Sequence, residues 1–314
     1  MFIELLSSER LLTSDVVRLR LYDLTGGAPK LLSQVDAPGE PPFFRGGPAG
    51  ERMTTNGDMV ARSLTPLGAK THWARTPTTV GLYRADDLAE LRVLELGWRL
   101  DHESLALSPD GSRLASVSRG SGAVVYDAET GRRLWDLDGE IGSGTSWSPD
   151  GRWIAMGETG QGGGLLTLID TVGEPTKHEL PRPPGKLPLY DCPYESRFTA
   201  DGSRVVFTGE AWGLAWVAAY DVASREPVWA GELPSVTPED AELWDAPALR
   251  LTDQLAVVGL GGRQLHAFST SDGAARSVLE IAADDRHFTV DAARRLVWID
   301  RGGEPTAVPF AADW

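Results

Sequence analysis

Cys192 is the single cysteine in 314 residues. One thiol cannot build an internal disulfide framework or a multi-thiolate metal site. Asparagine is as scarce. Asn56 is its one example, Gly57 and Asp58 follow it, and so the chain has no Asn-x-Ser/Thr glycosylation acceptor. Four lysines stand beside 26 arginines, a bias given no mechanistic weight. No apolar run approaches the roughly 20 residues that a membrane-spanning helix needs. The opening MFIELLSSERLLTSD has no basic region leading into an apolar stretch and no small-residue cleavage motif. No signal peptide is expected, and the expected location is cytoplasmic.

Catalytic signatures are missing too. There is no Gly-x-Ser-x-Gly elbow. The glycine-rich Gly157–Gly164 segment lacks the Gly-Lys-Ser/Thr that reaches phosphate and magnesium, and it lies between strand-like runs with no helix behind it. His72, His102, His178, His266 and His287 share no ligand spacing. Asp136, Asp138 and Glu140 alternate like part of a calcium loop, but the remaining ligands are absent. No catalytic residue, cofactor or metal is assigned. Acidic residues outnumber basic ones 45 to 30, giving a formal charge of −15. Such a surface repels nucleic acid and anionic membranes and favours basic partners.

What the chain does have is a repeat. Ser104–Leu137 contains four short apolar runs, LALS, RLASVS, AVVYD and RRLWDL, separated by turn signals at Pro109-Asp110-Gly111, Gly120-Ser121-Gly122 and Glu129-Thr130-Gly131. This pattern predicts four consecutive antiparallel strands. Two markers follow the repeat along the chain. A strand running into an Asp-rich turn and a further strand recurs at 17–35, 79–96, 123–137, 165–180, 216–233 and 265–281, and PTAVPFAADW at 305–314 reads as a seventh with no successor. The turn between the first two strands recurs at Ser8-Glu9, Asn56-Gly57, Asp110-Gly111, Asp150-Gly151, Asp201-Gly202, Thr252-Asp253 and Asp291-Ala292, at intervals of 39 to 54 residues. Both markers count seven. A period of this length with four strands per unit, apolar on both faces, predicts an all-β, seven-bladed β-propeller of four-stranded antiparallel blades; a six-bladed or imperfectly closed ring is the alternative. The chain is read as one domain, 1–314, with blades near 1–36, 37–97, 98–138, 139–181, 182–233, 234–282 and 283–314.

The segments SPDGSRLASVS, AVVYDAETGRRLWDL, SWSPDGRWIAMGE and LLTLID resemble WD40 or WD40-like repeats of a divergent bacterial type, well over 104–170 and weakly elsewhere. The Trp-Asp pair that names the family stands here as Tyr22-Asp23, Tyr126-Asp127, Ile169-Asp170 and Tyr220-Asp221, and the Gly-His pair is absent. The resemblance implies a scaffold for partner binding and carries no functional residue across. Such rings commonly seal by mixing terminal strands, so Phe2–Leu6 is expected to complete blade seven. The competing assignment makes it the first strand of blade one.

Three inter-blade links are long: 36–52, 181–196 and 233–248. They fall on one predicted face and pair proline with Phe43, Phe44, Tyr190, Tyr194 and Trp244, while the loops between second and third strands add Trp73 and Trp212. Long loops tend to carry function, and aromatics suit binding hot spots. These seven residues are the candidate partner-binding set, although capping of the ring would also explain them. The expected function is a non-enzymatic, monomeric scaffold for a protein or peptide, a basic one being favoured by the charge, with no nucleic-acid or membrane partner. The alternatives are a propeller enzyme of the lactonase or hydrolase type, or a small-molecule sensor, with the site at the channel mouth.

Overall fold

The computed structural model describes residues 2–15, 17–37, 53–64, 76–99, 102–118, 122–137, 141–159, 164–183, 192–211, 214–233, 248–260, 264–281, 287–301 and 304–310. They form 27 strands in seven antiparallel sheets. Blade one is β1 (Phe2–Ser7), β2 (Arg10–Ser14), β3 (Arg18–Asp23) and β4 (Lys30–Asp36). Blade two is β5 (Met53–Thr55), β6 (Met59–Leu64), β7 (Thr76–Arg84) and β8 (Glu90–Arg99). Blade three is β9 (His102–Leu107), β10 (Arg113–Ser118), β11 (Gly122–Asp127) and β12 (Arg133–Leu137). Blade four is β13 (Ile141–Trp147), β14 (Trp153–Thr159), β15 (Leu165–Asp170) and β16 (Thr176–Glu179). Blade five is β17 (Cys192–Phe198), β18 (Arg204–Ala211), β19 (Leu214–Asp221) and β20 (Pro227–Glu232). Blade six is β21 (Ala248–Leu251), β22 (Leu255–Leu260), β23 (Gln264–Ser269) and β24 (Ala275–Glu280). Blade seven is β25 (Phe288–Asp291), β26 (Leu296–Arg301) and β27 (Glu304–Pro309).

Alternation along each strand sends side chains to both faces of its sheet, and each face meets a neighbouring blade. The core is therefore divided into seven apolar clusters, one at each seam. Between blades three and four, Val117, Val125 and Ala115 meet Trp147, Ile154 and Met156. Between blades four and five, Leu166 and Leu168 meet Phe207, Trp216 and Tyr220. Trp216 and Trp298 are fully buried, each contributing roughly 2–3 kcal/mol by burial of apolar area. Tyrosines of the Tyr-Asp pairs tie seams as well: Tyr126 Oη donates to the Leu96 carbonyl at 3.3 Å, and Tyr220 Oη to that of Pro181 at 2.9 Å.

The ring closes differently from the expected strand exchange. β1 pairs with β2, Ile3 opposite Thr13 and Leu5 opposite Leu11, and heads blade one. Used in blade seven, it would leave blade one without an inner strand beside the channel. Closure is by side chains instead: Trp298 of β26 packs with Ile3, Leu11, Tyr22 and Leu24.

Among the described residues blade seven has no fourth strand, and β27 is the outermost of its three. The Phe310 amide donates to the Arg295 carbonyl at 3.1 Å, continuing the ladder beyond the Pro309–Leu296 pair. That parity turns positions 304, 306 and 308 toward β26 and positions 305, 307 and 309 outward. Two of the outward positions are Pro305 and Pro309, so Ala307 supplies the one outward amide of β27.

Turns between first and second strands, and between third and fourth strands, lie on one face of the ring. Connections between second and third strands, and those from blade to blade, leave from the other. These are the turn face and the loop face.

Candidate interaction face and central channel

The inner strands β9, β13, β17 and β21 are joined by side chains. Bulges interrupt β13 between Ser143 and Ser146 and β17 between Pro193 and Glu195, which frees main-chain groups that need other partners. Neighbouring blades supply them. The Thr145 amide donates to Ser104 Oγ at 3.0 Å. Ser146 and Ser196 hydroxyls lie 2.9 Å apart, and Ser196 donates on to the Gly144 carbonyl. The Leu249 amide donates to Glu195 Oε2 at 2.7 Å. Gly144 makes the closest approach possible: its φ is +59°, and a Cβ there would strike the Tyr194 carbonyl.

A charged bridge continues this girdle across the ring. Arg250 of β21 places Nη1 at 3.5 Å from Glu195 Oε2 and Nε at 3.5 Å from Glu4 Oε2, and Arg197 Nη2 is 3.9 Å from the same Glu4 oxygen. Blades one and five are not neighbours, so Glu4 and Arg197 can meet only across the central channel. Arg250 and Glu195 are nearly fully buried, with side chains 8% and 7% exposed. The Arg250 guanidinium also lies 6.0 Å from the Phe2 ring and 5.8 Å from the Phe288 ring. The channel carboxylates Glu4 and Glu195 are thus engaged by arginines.

On the loop face, buried Arg62 of β6 reaches into the connection between β2 and β3. It donates to Ser14 Oγ at 2.9 Å and to the carbonyls of Arg18 and Asp15 at 3.0 and 2.6 Å. Burial pushes its pKa down to about 10. Burial also opposes ionisation of Asp15, but the Val17 and Arg18 amides at 2.7 and 2.8 Å and the Arg20 guanidinium at 2.7 Å outweigh it and hold that carboxyl below its ordinary range. Buried Glu158 accepts from Thr167 Oγ1 at 2.9 Å and pairs with Lys177.

Of the seven candidate partner-binding residues, Phe43, Phe44, Trp73, Tyr190, Trp212 and Trp244 lie outside the described residues. Tyr194 is half-buried at the β17 bulge, against Gly144 of blade four. The strands that bound the three long links are described: β4 and β5, β16 and β17, and β20 and β21 all meet their links on the loop face. Glu4, Arg62, Glu195, Arg197 and Arg250 escape the sequence reading. Their available signal is a charge within a strand, among mostly apolar neighbours for Glu4, Arg62 and Arg250 and two residues apart in β17 for Glu195 and Arg197.

On the turn face, the first turns of blades three, four and five share one construction. Asp110 accepts from the Ser108 hydroxyl at 2.6 Å and the Ser112 amide at 3.0 Å, and Asp201 from the Thr199 hydroxyl at 2.6 Å and the Ser203 amide at 3.0 Å. These bonds, hydroxyl first, hold both carboxyls below their usual range. Asp150 has the same partners in Ser148 and Arg152, which outweigh its partial burial. The Asp of the Tyr-Asp pairs caps its own turn: Asp127 accepts from the Thr130 amide at 2.7 Å and Asp221 from the Ser224 amide at 2.8 Å.

No family model matches this chain, and no curated protein does. The likeness to known proteins is one of fold. The chain is similar to the crystal structure of the Myceliophteria thermophila Cps50 (Swd1) beta-propeller domain, with a TM-score of 0.56 and 17% identity, covering 85% of this chain and 86% of that one. In all, 1429 solved chains are similar. A fold shared so widely assigns no activity.

Proposed function

We propose that this chain is a non-enzymatic, WD40-like propeller scaffold that binds a protein or peptide on its loop face. The observation that carries the reading is the placement of the strand ends: in a braced ring, the ends that bound all three long inter-blade links lie on one face. Rigid scaffolds that present variable loops are a recurrent way to build a binding surface. Engagement of Glu4 and Glu195 by arginines supports binding over hydrolysis, because a metal-assisted enzyme needs convergent free ligands at the channel. Phe43, Phe44, Tyr190 and Trp244 are the proposed anchors, with Trp73, Tyr194 and Trp212 beside them. The net charge of −15 suits a basic partner. The proposed unit is a cytoplasmic monomer of one domain.

A photoreactive phenylalanine analogue placed at position 43, 190 or 244 tests this, with position 28, an exposed turn-face site in blade one, as control. Irradiation in lysate of the source cells is expected to yield a common adduct from the loop-face positions and none from 28. Adducts from 28 alone, or none from any position, would overturn the assignment.

A further inference from the structure

Among the described residues, the turns between third and fourth strands of blades one to six each contain one residue in the left-handed region. In blades one, three, four and six it is glycine: Gly27, Gly131, Gly173 and Gly273. In blade two it is Leu88, which is fully buried in the seam between blades one and two. In blade five it is Arg225, with φ of +63°. The turns ending at Leu88, Gly131, Arg225 and Gly273 close through the same bond: the amide of the left-handed residue donates to the carbonyl four positions earlier, at 2.8–3.0 Å. Arg225 therefore occupies a glycine position. A side chain there is strained, and Arg225 is only half-buried, so the burial that explains Leu88 does not explain it.

What Arg225 gains is a place. Its Nη1 lies 2.8 Å from His178 Nδ1 of β16, across the seam between blades four and five. A guanidinium can only donate, so Nδ1 is the bare ring nitrogen. The His178 ring sits 5.8 Å from that of Trp153, and the other face of the corner is Arg152, 4.9 Å from the Trp153 ring. Neighbouring cations are committed. Arg152 makes a forked pair with Asp170, Nε and Nη2 lying 3.2 and 2.7 Å from Oδ2, and Lys177 pairs with Glu158. Among the described residues Arg225 has no carboxylate within ion-pair distance. Its His178 partner in turn packs on Trp153 at the outer rim of the turn face.

We infer that the Arg225–His178–Trp153 corner is a second binding site, on the face opposite the long links, for a carboxylate side chain of an acidic peptide segment. Arg225 supplies the fork that pairs with a carboxylate. His178 fixes the guanidinium, and Trp153 offers a flat surface to the stem of the incoming side chain. The backbone strain is retained because glycine, which the turn prefers, cannot bind.

The test measures two quantities on wild type, Arg225→Gly and Arg225→Lys. One is binding of a labelled deca-glutamate peptide at low salt, with deca-glutamine as control; the other is the melting temperature. A protein of net charge −15 repels a polyanion in general, so saturable binding reports a local site. Wild type is expected to bind the glutamate peptide and not the glutamine one. Arg225→Gly is expected to lose at least about tenfold in affinity while melting at the same temperature or roughly 1–3 °C higher, as strain is relieved. Arg225→Lys, which keeps the charge and loses the fork, is expected to bind with intermediate affinity. Absence of wild-type binding, equal binding by Arg225→Gly, or a lower melting temperature for Arg225→Gly would each overturn the inference. Loss of this site leaves the loop-face proposal standing, since the two faces share no residue.

Discussion

Arg250→Ala is expected to be among the most damaging single changes in the described part of the chain. It removes the guanidinium that pairs with buried Glu195 and bridges it to Glu4. Breaking a buried pair from one side costs about 3–5 kcal/mol, and urea denaturation would show this as a lower midpoint at unchanged slope. The double change Arg250→Met with Glu195→Gln removes both charges and should recover much of the loss; a double variant as unstable as the single one would contradict the account. Gly144→Ala should also destabilise, by about 1–3 kcal/mol, because the left-handed backbone and the Tyr194 carbonyl both reject a Cβ. These residues were hidden in the sequence for a plain reason. Glu4, Glu195 and Arg250 lie far apart along the chain and meet only because ring closure brings blades one, five and six around one channel.

Turns and edges act at the scale of the element. Asp110, Asp150, Asp201, Asp127 and Asp221 are all held below the ordinary carboxyl value of 3.8 by hydroxyl and amide donors of their own turns. A carboxyl with a depressed folded pKa binds its proton more readily in the unfolded chain. Its stabilisation is fully present above about pH 4 and is lost as pH falls through the folded value. Melting temperature should therefore be flat near neutrality and fall steeply below pH 4. The combined Asp110→Asn, Asp150→Asn and Asp201→Asn variant should show a shallower acid fall; an unchanged acid limb would mean that the turns do not titrate as described. The edge of β27 makes a separate prediction. Pro305 and Pro309 deny two outward amides to an incoming strand. Replacing both with threonine is expected to give concentration-dependent association by light scattering, while the wild-type edge stays unpaired.

The same elements show why much of the fold could be read from the sequence. Asn56-Gly57, Asp110-Gly111, Asp150-Gly151 and Asp201-Gly202 mark first turns because their glycines take positive φ. The Tyr-Asp pairs mark third strands because the Asp caps the turn that follows. These are local requirements, so the sequence displays them. Ring closure is not local. FIELL has the pattern of a strand whether it serves blade one or blade seven, and only the packing of Trp298 on Ile3 and Leu11 decides between them. The candidate aromatics rest on loop length and composition, and six of the seven lie outside the described residues; Tyr194, the seventh, is half-buried at a blade seam.

For the whole molecule, seven seams of similar construction make each blade depend on two neighbours. Trp298→Ala opens the closing seam, and a buried tryptophan lost to a cavity costs about 3–5 kcal/mol. Unfolding should remain a single transition at a lower midpoint, because blade one cannot stay packed once blade seven lets go. The most direct measurement of the central claim compares affinity capture by wild type, by a Phe43, Phe44, Tyr190 and Trp244 quadruple-alanine variant, and by the turn-face triple Asp→Asn variant, each shown by its melting curve to be folded at the assay temperature. The account predicts a protein retained by wild type and the turn-face variant and lost by the quadruple variant. Retention by the quadruple variant with loss by the turn-face variant would contradict it and move the working surface to the other side of the ring.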